Sequence, residues 1–530
     1  MRSISPPGSE SYWAEFELNE ADLTFIDNLL LERGIPLTPK EMAEVIVRDR
    51  LDRERVAIEQ SKRPAAQPYL PAQRYVVGQQ LQFQNLANGV GTVTRVRGSS
   101  NPALPPFEVI QVELGDELRE FAAGFPDHVL NSIEQAPKDM DRGLSPDAII
   151  QRSGSRIAQE IDANLGKRPE VVRIAGKWFH RGLLAEINEG HLNLAEAVLD
   201  VAAGGPLPTQ DLVKHMETSP GLDPLLTEFS VDYALQEDER FDEVGPAGKV
   251  LWFLKRLEPP EVLQPPERLV DQSTPYDRSV LGPELLTLER ELDDELSAGS
   301  PPADPPAPEV ILVLPFPHWS IGSLPLSARL QAMFPTAYEA PRIRFILVDG
   351  HSGAKFPGWV VRTQRYVFGL ADWFRQYDVP AGGLIRVRPG REDGEVLVEA
   401  VDPRRRNDWI RTATVGDGGR IGLTMLKHPV GTAYDERRIV GVIDRRALEQ
   451  AWQNTSQRTL PLDRLVPQMF RELSKLNPQT TVHAEALYAV VNVVRRIPPG
   501  PILAELVNRP YFEPVGDHYW RLNEDEWKKA

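Results

Sequence analysis

The chain reads as an α+β protein of several domains, and three observations predict this. Its 530 residues exceed one hydrophobic core, at a prior of about 100–200 residues per domain. Hydrophobic periodicity switches repeatedly between helical spacing and strict alternation. Charge is unevenly spread as well. The net charge is −17, yet 341–411 holds 13 Lys/Arg against 9 Asp/Glu, while 191–243 holds 2 against 12. A basic module therefore sits in an acidic chain. Cysteine is absent, which excludes disulfides, thiolate metal sites and cysteine nucleophiles. No apolar run approaches ~18 residues and the first residues lack an apolar core, so the expectation is a cytoplasmic protein with no membrane partner.

Residues 12–60 are predicted as a helical segment. Leu23, Ile26, Leu30 and Leu31 recur at helical spacing, Gly34-Ile-Pro36 breaks the pattern, and Thr38 with Glu41 is a capping-box signature for a second helix to about Gln60. The pair resembles a helix-turn-helix; a helical hairpin that only packs fits equally well. Over 72–130, short alternating runs separated by Gly, Asn and Pro predict a small β-barrel. Its Val-Gly-x-x-Leu-x-Phe from Val77, then Gly-x-Gly-x-Val from Gly89, resembles the opening of CarD-type barrels, which bind RNA polymerase.

Residues 145–257 are predicted as one module. Helices are expected over about 147–163, 192–201 (ended by Gly204-Gly205), 208–216 (Thr209 as N-cap) and 224–235, before a two-stranded wing turning at Gly245-Pro-Ala-Gly248. This order resembles the HARE-type winged helix, shared by the delta subunit of bacterial RNA polymerase and some chromatin and restriction proteins. The helix that would enter a major groove carries Asp223, Glu228 and Asp232, with Glu237, Asp238 and Glu239 following and no Lys or Arg before Arg240. Phosphate neutralisation supplies non-specific affinity, so this helix would repel a duplex. The module reads as a protein contact through Glu228, Asp232 and Glu237, the partner being RNA polymerase or another nucleic-acid-processing protein. Residues 258–308, rich in Pro and acid with one helical run at 285–296, are predicted as a largely extended linker.

In 309–448, apolar runs at 343–348 and 359–361 flank the turn Asp349-Gly350-His351-Ser352-Gly353. Tyr366-Val-Phe-Gly-Leu-Ala-Asp-Trp-Phe374 follows, then a strand that sets Leu384, Arg386 and Arg388 against Ile385 and Val387. This succession resembles the B-three-type DNA-binding pseudobarrels of plant transcription factors and of restriction-enzyme effector domains. The resemblance implies contact with double-stranded DNA. The candidates are Arg362, Arg365, Arg386, Arg388, Arg404, Arg405 and Arg406, because guanidinium forks match phosphate oxygens and guanine edges. Local pairing with Asp402, Asp408 and Glu399 is the bland alternative. The Gly-rich stretch 415–423 lacks the Gly-Lys-Ser/Thr of a phosphate loop and reads as a turn between strands.

Residues 460–530 repeat the winged-helix pattern, with helices over 462–476, 482–496 and 502–507 and a hairpin turning at Gly516-Asp517. Its Phe512-x-x-Val-Gly-x-x-Tyr-Trp-x-Leu522 looks like a wing. The 9 histidines are scattered without metal-ligand spacing, and no nucleophile–base pair stands out, so neither cofactor nor metal is expected. The expectation is a non-enzymatic bacterial nucleic-acid-associated protein, DNA-binding and transcription-related. The alternatives are an accessory or specificity subunit of a restriction or defence system, or an acidic interaction scaffold without DNA binding.

Overall fold

The computed structural model describes residues 10–61, 66–83, 89–100, 105–115, 117–132, 145–217, 221–297, 307–392 and 394–529. It is mixed α+β, in two compact units. One runs to Arg173 and includes Lys177–Leu183; the other holds Ile174–Gly176 and everything from Leu184. The boundary corrects the expected 145–257 module: the helix Pro146–Leu165 belongs to the first unit and the winged portion to the second. Among the described residues no helix is long and apolar enough to cross a membrane.

In the first unit, the helix Glu20–Arg33 starts at a capping box between Asn19 and Asp22 and stops at Gly34, whose φ of 63° favours glycine. Pro39–Ser61 follows, with Thr38 and Glu41 exchanging the expected bonds at 2.7 and 3.2 Å. Arg50 joins the two helices. It is buried with Asp22, bonds that carboxylate through Nε at 3.1 Å, and donates to the Glu17 carbonyl at 2.8 Å. A five-stranded sheet runs in sequence order: Gln67–Pro68, Gln80–Phe83, Gly89–Gly98, Glu108–Leu114 and Glu117–Ala123. Leu81, Phe83, Val93, Ile110 and Val112 form its core.

The second unit is built on a seven-stranded sheet, in the spatial order Val310–Val313, Leu384–Pro389, Glu395–Ala400, Arg342–Asp349, Lys355–Val361, Tyr366–Phe368 and Ser323–Pro325. Within this sheet Arg342–Asp349 and Glu395–Ala400 pair in parallel, and its other neighbouring strands are antiparallel. A long antiparallel ribbon, Arg406–Val415 with Ile421–Val430, stands beside it. The Gly-rich stretch is indeed its turn, and Gly418 and Gly419 both hold φ of 74°.

Two modules of this unit share one plan. The first has helix Glu189–Val201, strand Leu207–Pro208, helices Thr209–Val213 and Pro224–Glu237, then strands Phe241–Glu243 and Leu251–Leu254. The second has helix Leu462–Ser474, strand Thr481–His483, helices Ala484–Val494 and Pro499–Asn508, then strands Phe512–Gly516 and Tyr519–Leu522. In each, the last strand lies between the other two. The modules differ in what they expose. Helix Pro499–Asn508 buries Ile502, Leu503, Ala504 and Leu506 in the core it shares with the seven-stranded sheet.

The expected linker is corrected. The helix Pro283–Leu292 places Leu288 and Leu292 in the same core, and Asp294 and Glu295 beyond it are buried too. Leu281 ahead of the helix and Leu288 and Leu292 within it supply apolar anchors that outweigh the Pro-rich, acidic composition around them. Residues 298–306 of the expected linker lie outside the described residues. Thr209 is a second correction. It begins its helix without capping it; its hydroxyl donates instead to the buried Asp232.

Candidate nucleic-acid interface

The structure gives five of the seven arginine candidates a carboxylate partner. Arg386 pairs directly across the ladder with Glu399, at 3.3 Å, and reaches Glu309 at 3.5 Å; Arg388 reaches Glu399 at 3.2 Å. Opposite charges facing each other on one sheet face attract, so the expected basic face is partly neutralised. Arg404 meets Asp402 at 3.2 Å, Arg405 meets Asp378 at 2.5 Å, and Arg406 meets Asp408 at 2.8 Å while lying over the Tyr434 ring. Arg362 donates to the Ala340 carbonyl at 2.8 Å. Arg365 is exposed on a turn, with φ of 55°.

The three acidic candidates separate. Asp232 is buried and accepts the Trp252 indole N–H at 2.8 Å as well as the Thr209 hydroxyl. It fastens helix to wing and is not a contact surface, which corrects its expected role. The helical period explains this: Asp232 lies on the same face as Phe229 and Leu235, both buried. Glu228 is part-exposed and accepts from Gln210 at 3.4 Å; Glu237 is exposed. The wing is also engaged, because the Arg344 amide donates to the Val244 carbonyl at 2.9 Å and Arg342 pairs with Asp242.

The ribbon brings together aromatic and basic side chains outside the seven arginine candidates except at its start, Arg406. Strand alternation puts Trp409 and Arg411 on one face, and the register sets Lys427 opposite Trp409 and Met425 opposite Arg411. Trp409 is 66% exposed, an unusual position for so large an apolar ring. Lys427 is exposed as well. The sequence signal was the pair of alternating strands around the Gly-rich turn. Their exposed face could be read only once the other face had a core to pack on.

Beside the ribbon lies a cleft of about 620 Å³, with Trp409, Arg411, Met425, Tyr434, Arg437 and His483 among its lining residues. Arg411 is part-buried and donates to the Glu436 carbonyl at 2.9 Å, and it has no ion pair among the described residues. Burial pushes its guanidinium down to about 10, against the opposing charge of Asp435. Arg437 is paired with Glu485 at 3.1 Å. His483 is buried. Its Nδ1 accepts the Glu485 amide at 3.2 Å, and its Nε2 makes no hydrogen bond of good geometry among the described residues. Burial, with Arg437 and His518 adding to it, pushes this imidazole down to about 4, so it is neutral at pH 7.

A Ser–His–Glu succession also exists: His318 meets the Ser323 hydroxyl at 2.9 Å through Nδ1 and Glu295 at 3.0 Å through Nε2. The sequence hid it, because Glu295 falls in the expected linker. All three are buried, whereas a nucleophile must meet its substrate, so the arrangement serves packing. Asp349 accepts from the Tyr377 hydroxyl at 2.7 Å and the His351 amide at 3.1 Å, as a turn residue does. Among the described residues no three His, Cys, Asp or Glu side chains gather as a metal would require.

No protein-family model matches the chain, and neither a curated protein nor a solved structure does.

Proposed function

We propose that this chain is a non-enzymatic nucleic-acid-binding protein whose contact surface is the ribbon. The observation that carries the reading is the exposed Trp409 with Lys427 directly opposite and Arg411 two residues along. A flat exposed ring beside cations is the pairing on which an unstacked base and its backbone are held. Stacking on Trp409 requires a base out of its duplex, so an unpaired strand is the favoured ligand over intact double-stranded DNA. The ion pairs of Arg386, Arg388, Arg404, Arg405 and Arg406 support the same preference: a duplex would have to draw these side chains from their carboxylates.

The two modules of common plan are read as winged helices, the seven-stranded sheet as the B-three-like element and the first unit's sheet as the small barrel. The buried helix Pro499–Asn508 supports a packing role for the second module. Exposed Glu237 and part-exposed Glu228 support a protein contact for the first, with a basic surface of a nucleic-acid-processing protein as its partner. The test is a fluorescence-anisotropy titration of the full chain with a labelled oligothymidylate and with a duplex of equal length. Tighter binding of the single strand, lost in Trp409→Ala and Lys427→Glu, is the expected result. Equal binding by both variants and the wild type would overturn the assignment.

A further inference from the structure

The cleft beside Trp409 is large enough for a small ligand, at about 620 Å³ against roughly 300–1,000 Å³ for pockets that hold one. Its walls state what kind. Arg411 is a part-buried cation that donates to a backbone carbonyl and makes no ion pair among the described residues, Asp435 opposing its charge only from beyond ion-pair distance, and a desolvated charge so weakly paired is costly. An anion bound there relieves that cost. Arg437 adds a second cation, already shared with Glu485, and Glu436 supplies acid to the same wall. Met425, partly exposed, and Trp409 at the ribbon end give apolar surface. Trp409 and Arg411 sit on one strand face about 7 Å apart by strand rise, comparable with the reach from a base to its own phosphate.

We propose that this cleft is a nucleoside-phosphate site, with the base on Trp409 and the phosphate against Arg411 and Arg437. His483, neutral and accepting through Nδ1, carries its proton on Nε2, a buried donor in the same wall without a hydrogen bond of good geometry among the described residues. The proposal rests on the ribbon reading through Trp409 alone. The nucleoside phosphate comes either as a free mononucleotide or as the phosphorylated end of a strand lying on the ribbon.

The test is calorimetric titration of the full chain with adenosine, inorganic phosphate, adenosine monophosphate, and an oligothymidylate with and without a terminal phosphate. Adenosine monophosphate is expected to bind about tenfold more tightly than adenosine or phosphate, a difference of ~1.4 kcal/mol. Arg411→Gln should reduce this binding about tenfold. Met425→Glu, at an exposed rim where folding is undisturbed, should do the same by repulsion. Preference for the phosphorylated oligonucleotide identifies a strand end as the source; equal oligonucleotide binding identifies the free nucleotide. Adenosine monophosphate binding no better than adenosine, or unchanged in a folded Met425→Glu protein, overturns the proposal. If oligothymidylate still binds in that case, the ribbon reading survives. If the mononucleotide binds and oligothymidylate does not, the ribbon reading falls and the cleft stands.

Discussion

Arg496 closes on both oxygens of the Asp294 carboxylate, at 2.7 and 2.6 Å, across 202 residues of chain. The two side chains are 1% and 0% exposed. Tyr488 donates to the same carboxylate at 2.6 Å, and Arg496 also reaches Glu295 at 2.7 Å. His318 continues the network from Glu295 to Ser323. One buried network thus links the Pro-rich segment, the strand Ser323–Pro325 and the C-terminal module within the second unit.

Removing one partner of that pair leaves the other charged and buried. Asp294→Ala or Arg496→Met is expected to cost about 3–5 kcal/mol, read as a lowered melting temperature of the second unit. Burial alone would raise the Glu295 carboxyl, but Arg496 and His318 outweigh it and hold it well below its ordinary 4.5. A depressed acid stabilises above its unfolded value and loses that contribution as pH falls. Melting temperature should therefore decline below about pH 4.5, and less steeply in Glu295→Gln.

Glu243 behaves in the opposite sense. Burial pushes its carboxyl up to about 8, and Glu339 and Asp232 add to this, while amide donors from Gly245 and Leu251 oppose it. The folded state then holds a proton that the unfolded chain releases near 4.5. That contribution is complete below 4.5 and is lost as pH rises through about 8. Glu243→Gln should flatten the fall in melting temperature between these values; an unchanged profile would refute the assignment.

Asp232 is expected to govern stability and not partner capture. Asp232→Ala leaves the Trp252 indole N–H and the Thr209 hydroxyl without their buried acceptor, at about 1–3 kcal/mol. Glu237→Lys, on the exposed surface, should leave melting unchanged within about 0.5 kcal/mol and weaken capture of a basic partner. Thermal unfolding of the two variants separates the roles.

Trp409→Ala should weaken single-strand binding by about 1–3 kcal/mol, the usual worth of one stacked base. Arg386→Ala with Arg388→Ala should matter less, because both guanidiniums already face Glu399. Anisotropy titrations over a range of salt check both, since phosphate contacts steepen the salt dependence and stacking does not. A larger loss in the double-arginine variant would return the interface to the seven-stranded sheet.

Local chemistry was legible in the chain itself. Thr38 with Glu41 marked a helix start, Gly34 a helix end, and the Gly-rich 415–423 a turn between strands, because caps and turns are settled by residues a few positions apart. Alternation likewise revealed the strand around Arg386. What each exposed side chain would meet depended on contacts between distant segments. Glu399 lies opposite Arg386 only through strand pairing, Asp232 is internal only because Trp252 and Thr209 converge on it, and the apparent linker became core once Leu288 and Leu292 had a sheet to cover. Periodicity assigns a residue to a face; only tertiary packing decides whether that face meets water, a carboxylate or a core.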